Sequence, residues 1–195
     1  IDNQSWIFPL AWAAQRSGVY FACLSYRLSG GDLAYILADC GAKLVVGAEV
    51  TRDILQAAKA AGFSGDIRLV DASWGDTEPL IESIACSSRA PIADEMAGSA
   101  MLYSSGTTGR PKGVRQPFVR GLPIEKPSPL LLVGQKRFGM GQQTRYLCPA
   151  PLYHAGPLRW SMLVQRLGGT VVVMEKFDAE EALRAIETRS ITMAQ

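Results

Sequence analysis

A single histidine, His154, occurs in 195 residues. Within this chain, therefore, no histidine cluster can hold a metal and no Ser-His-Asp triad can draw on a second imidazole. Cysteine is sparse too: Cys23, Cys40, Cys86 and Cys148 are far apart, form no CxxC pair, and each lies in an apolar stretch. That spacing excludes a zinc knuckle and predicts reduced, buried thiols in a cytoplasmic protein. Net charge is nearly absent, since 20 Lys and Arg meet 18 Asp and Glu for a formal +2. Nucleic acid and anionic membrane surfaces, which favour clustered basic residues, are excluded as partners. Long apolar runs are missing as well. The longest, around Leu130–Val133 and Val171–Met174, are strand-sized against the ~20 residues needed to cross a bilayer, so integral membrane association is excluded. The 19 glycines and 11 prolines are too few for a low-complexity or collagenous chain, and a 48% hydrophobic composition is that of a globular domain with one sizeable core.

Helical and strand-like periods alternate along the chain. A helix is expected over Asn3–Arg16 and a strand over Val19–Ser25. Ser29, with Asp32 three residues on, is the N-cap of the next helix, through Asp39. Lys43–Gly47 and Ile67–Asp71 read as strands, Arg52–Ala61 and Glu78–Ala85 as helices, and Ser99–Tyr103 as a strand entering a Gly- and Thr-rich loop. Prolines and glycines then punctuate residues 115–144, where irregular structure is expected. Regular order returns with a strand over Arg145–Cys148, a helix over Leu158–Leu167 and a strand over Thr170–Met174. A helix over Ala179–Thr188 follows, with Asp178 and Glu181 as its capping box. The expected fold is α/β: a mostly parallel or mixed sheet with helices on its faces. The start lacks an initiator Met and any targeting signal, and Ile191–Gln195 open a strand with no turn after it. A fragment of a larger domain is therefore expected.

The chemistry is concentrated in Tyr103-Ser104-Ser105-Gly106-Thr107-Thr108-Gly109-Arg110-Pro111-Lys112-Gly113-Val114. Glycines let backbone N–H groups surround phosphate oxygens, hydroxyls donate reorientable hydrogen bonds, and the ammonium supplies a point charge. A Walker loop is excluded: no Ser or Thr follows Lys112, and Pro111, Gly113 and Val114 lead into Pro117 without helical periodicity. A polar turn between strands remains the structural alternative. A non-catalytic phosphate- or nucleotide-binding α/β module is the functional one.

Tyr103–Val114 resembles the phosphate loop of the adenylate-forming (AMP-binding) superfamily, in the acyl-CoA synthetase or fatty-acid–CoA ligase branch. Pro151-Leu152-Tyr153-His154 is similar to the family's acyl-site segment, and Gly168-Gly169-Thr170 through Phe177-Asp178 is similar to its ligase branch. The resemblance covers nearly the whole chain and implies that residues 1–195 are part of an N-terminal AMP-binding domain. It also implies ATP, magnesium and coenzyme A, with a fatty or other hydrophobic carboxylic acid as substrate. Ser104, Ser105, Gly106, Thr107, Thr108, Gly109 and Lys112 would hold ATP phosphates, Thr107 would contact magnesium, and His154, Lys112 and Thr108 would serve catalysis. A homo-oligomer is compatible with the sequence. The family's Y-G-x-T-E segment, its ribose-binding aspartate and its C-terminal domain with a catalytic lysine would lie beyond Gln195, so this segment alone is expected to be inactive. The histidine-bearing pair that many relatives carry after G-V is also absent between Arg115 and Thr144.

Overall fold

In the computed structural model the described residues are 3–104, 110–117 and 119–195. Helix α1 spans Ile7–Arg16 and buries Ile7, Phe8 and Ala11. It accommodates Pro9 because that residue falls in the first turn, where its missing N–H has no partner to lose. Strand β1 is short, Tyr20–Phe21, and α2 follows over Gly30–Asp39. Ser29 caps α2 as its sequence predicts, its hydroxyl accepting the Asp32 N–H at 3.0 Å. Strand β2, Leu44–Gly47, leads through a 3-10 turn to α3, Arg52–Ala60, and then to β3, Asp66–Leu69. Helix α4 covers Leu80–Ala85, and β4, Ser99–Ala100, is followed after one residue by β5, Leu102–Ser104. Beyond these lie β6, Lys112–Val114; α5, Pro129–Phe138; β7, Arg145–Cys148; and α6, Ala155–Arg166. Strand β8, Thr170–Val173, helix α7, Ala179–Thr188, and strand β9, Met193–Ala194, close the order.

The α/β class is as expected, but among the described residues the strands form four small sheets. Three are parallel, β1 with β4, β2 with β3, and β8-β7-β9, while β5 and β6 are antiparallel. Two apolar cores underlie them. One joins α1, α6 and β7 through Phe8, Tyr146, Leu152, Leu158 and Val164. The other joins α2, α3 and β3 through Leu33, Leu37, Leu55, Ala58 and Leu69. Helices α2 and α3 meet closely because Gly30 offers no side chain: a Cβ there would lie 2.4 Å from that of Ala57.

Three expectations are corrected. Residues 115–144 are not irregular throughout, because 129–138 form α5, and the Leu130–Val133 run is helical. The punctuating residues are its boundaries: the Ser128 hydroxyl accepts the Leu131 N–H at 3.2 Å, Pro129 opens the helix, and Gly139 ends it at φ +61°. The thiols are not uniformly buried. Cys86, at the end of the short α4, is exposed, Cys23 and Cys40 are half-buried, and only Cys148 is fully enclosed. The capping box of α7 is half made, since Asp178 accepts the Glu181 N–H at 2.9 Å while the Glu181 carboxylate accepts from Arg184 instead. Upstream of α5, the proline-containing stretch is held by Arg166, which donates to the carbonyls of Ile124 and Lys126.

Candidate active site

Strands β5 and β6 form a hairpin in which Leu102 faces Val114, Tyr103 faces Gly113 and Ser104 faces Lys112. The chain thus leaves the glycine-rich loop as a strand, which bears out the exclusion of a Walker loop, whose phosphates sit on a helix N-terminus. Ser104 and Lys112 are exposed and mark the two stems of the loop. Ser105, Gly106, Thr107, Thr108 and Gly109 lie outside the described residues. The register also explains Gly113. A Cβ there would come within 2.9 Å of Tyr103 Cζ and 3.0 Å of its Oη, so the tyrosine ring lies across the partner strand only because that position has no side chain.

From there the Tyr103 hydroxyl donates to the Asp39 carboxylate on α2 at 2.5 Å. Burial of the phenol, then its hydrogen bond to Asp39, push the Tyr103 hydroxyl well above the ordinary tyrosine range, so it acts as a donor. Arg110, at the other end of the loop, has its guanidinium 5.2 Å from the centroid of the Tyr35 ring, also on α2. The strand leaving the hairpin is held by β1: Arg115 lies 5.2 Å from the Tyr20 ring centroid, and the Tyr20 hydroxyl donates to the Gln116 carbonyl at 2.6 Å. Tyr20, Tyr35 and Asp39 carried no functional signal in the sequence. Tyr35 and Asp39 are four residues apart, and that spacing on one helix face was the only available hint.

His154 is the N-cap residue of α6, with extended backbone and no side-chain cap bond. Its ring is exposed and tilts against that of Tyr153, with centroids 4.4 Å apart. What presents it is Leu152, fully buried in the core beneath. The loop before it is held by Asn3, whose side chain accepts the Leu152 N–H at 2.8 Å and donates to the Met174 carbonyl at 2.6 Å. On that helix Leu158 and Met162 are core residues, and Trp160 packs edge-on against Phe138.

A cleft of about 1480 Å³ is lined by β1 and β2 and reaches Met101, Arg115, Pro151 and Tyr153. Ser104, Lys112 and His154 lie outside its lining. Among the described residues, no group of three or more His, Cys, Asp or Glu could hold a metal ion. The donor set at the hairpin, a hydroxyl and an ammonium flanking a Gly/Thr loop, fits polyphosphate oxygens.

The chain matches the AMP-binding enzyme family over residues 2–195. It belongs to that family. It is 30% identical over 179 residues to a 2-succinylbenzoate–CoA ligase of Bacillus licheniformis, covering 91% of this chain and 34% of that one. A feruloyl-CoA synthase of an Amycolatopsis species is 29% identical over 183 residues, covering 93% and 34%. In three dimensions the chain superposes on the crystal structure of ATP-bound MatB from Rhodopseudomonas palustris with a TM-score of 0.75 and 25% identity, covering 96% of this chain and 36% of that one. This family member therefore spans about a third of the length of the curated relatives it matches.

Proposed function

We propose that the complete protein is an ATP-dependent acid–thiol ligase that forms AMP. A carboxylate oxygen attacks the α-phosphorus of ATP, the bond to the β-phosphate breaks, and pyrophosphate leaves with the electron pair. The thiol of coenzyme A then attacks the acyl carbon, the bond to AMP breaks, and the thiol proton passes to solvent. The supporting observation is the hairpin that sets Ser104 opposite Lys112 at the two stems of a Gly/Thr loop.

Ser104 to Gly109 and Lys112 are assigned to the β- and γ-phosphates, with Thr108 and Lys112 stabilising the charge that moves onto pyrophosphate. Magnesium, when bound, would neutralise phosphate charge. Thr107 is its one assigned protein contact, in keeping with a metal held mainly by phosphate and water oxygens. His154, exposed at the start of α6, is assigned to orienting the carboxylate. The substrate is assigned as a hydrophobic carboxylic acid. Aryl acids belong in the test beside fatty acids, because the relatives are named for 2-succinylbenzoate and ferulate.

The test is acid-dependent ATP–pyrophosphate exchange by the complete protein across aryl and fatty acids. Exchange with one class, reduced on the order of 100-fold in Lys112→Ala, is the expected result. Nucleotide binding without exchange from folded protein would favour the non-catalytic module. The 195 residues alone are expected to give no exchange, since they span about a third of the relatives' length.

A further inference from the structure

We propose that Tyr35 and Asp39 are positioning residues for the phosphate loop, holding its two ends against α2 through Arg110 and Tyr103. The proposal rests on the ligase reading of that loop.

The two contacts grip opposite ends of one segment. Tyr103 immediately precedes the Ser104 stem and donates to Asp39 at 2.5 Å; Arg110, two residues before the Lys112 stem, lies over the Tyr35 ring at 5.2 Å. Tyr35 and Asp39 are one helical turn apart and so share a face of α2. The helix is a firm base for them. Its other face buries Leu33, Ile36 and Leu37, and its start abuts Ala57 of α3 at Gly30. Where the loop meets its phosphates depends on where it begins and ends, and these two contacts fix Tyr103 and Arg110 on either side of it. The bulk of Tyr103 and the absence of a side chain at Gly113 serve the same end, because together they let the phenol cross the hairpin and reach Asp39.

In the complete protein, Asp39→Ala and Tyr103→Phe should each lower kcat/KM for ATP in the exchange reaction on the order of tenfold, with KM for the acid unchanged. The double variant should lose no more than either single one, because both remove the same bond. Tyr35→Leu should lose a comparable factor, and Tyr35→Phe, which keeps the ring face, should restore it. Melting temperatures separate this from loss of fold. Additive losses, a parallel rise in KM for the acid, or wild-type kinetics in all variants would overturn the proposal. If the wild type shows no exchange, the ligase reading fails, and calorimetric binding of inorganic pyrophosphate decides this one. Weaker binding by the same variants supports it; equal binding, or none by the wild type, overturns it.

Discussion

Asn3 accepts the backbone N–H of Leu152 at 2.8 Å across 149 positions of sequence, and the same side chain donates to the Met174 carbonyl at 2.6 Å. One amide thus joins the entry to α1, the end of β8 and the turn that presents His154. The Asn3 side chain is buried, so removing it leaves two buried backbone groups unpaired.

Asn3→Ala should therefore destabilise the protein by about 1–3 kcal/mol, read from the urea midpoint at constant m-value. Asn3→Asp keeps the acceptor for Leu152 and loses the donor to Met174, so it should cost as much or more through burial of a charge. A loss below about 0.5 kcal/mol in Asn3→Ala would show that the three segments are held by apolar contacts alone.

Gly113→Ala places a methyl against the Tyr103 ring and 2.4 Å from the Met101 methyl. Met101 can move and the ring cannot without releasing Asp39. The expected cost is about 1–3 kcal/mol in thermal or chemical unfolding. A silent Gly113→Ala would mean that the ring does not need the bare backbone.

The four thiols should separate by reactivity at pH 8, with Cys86 alkylated first because it alone is exposed. Burial raises the Cys23 thiol to about 11 and pushes Cys148 upward as well. In the unfolded chain Cys23 ionises near its ordinary value, so between about pH 9 and pH 11 the folded state holds more protons than the unfolded one. Stability from Cys23 is complete below that window and is lost as pH rises through it. Cys23→Ser should flatten this decline in a pH series of urea midpoints, and an unchanged slope would refute the assignment.

Ser161 is completely buried in α6, and its hydroxyl has no hydrogen-bond partner among the described residues; the nearby Cys148 thiol is a weak acceptor. Ser161→Ala should be neutral or stabilising by up to about 1 kcal/mol. A loss above that value would reveal a partner for the hydroxyl.

Local signals were legible wherever a residue acts on its near neighbours. Ser29 and Asp178 cap the helices they precede, and the strand entering the glycine loop was legible, whereas its antiparallel return through Lys112-Gly113-Val114 was not. Helix α5 was missed because Pro129 and Gly139 read as breakers when they are its first residue and its stop. The stems of the Gly/Thr loop and His154 could be named from motif resemblance alone. What holds them could not, since Tyr103 finds Asp39 across 64 positions and Asn3 finds Leu152 across 149. Contacts at that separation are chosen by packing of whole elements, and periodicity carries no trace of them.

Arg166 gives the proline-containing stretch before α5 an unusual form of tolerance. Its guanidinium grips the carbonyls of Ile124 and Lys126 and makes no demand on their side chains. The two hydrogen bonds from Arg166 therefore survive any change of side chain at those positions that leaves the main chain on its path. Extra residues inserted around Gly121 would enlarge a surface loop at a cost that grows only with the logarithm of its length. The side chain that holds this part of the segment thus lies 40 residues away from it, on a helix whose own pattern gives no sign of the duty.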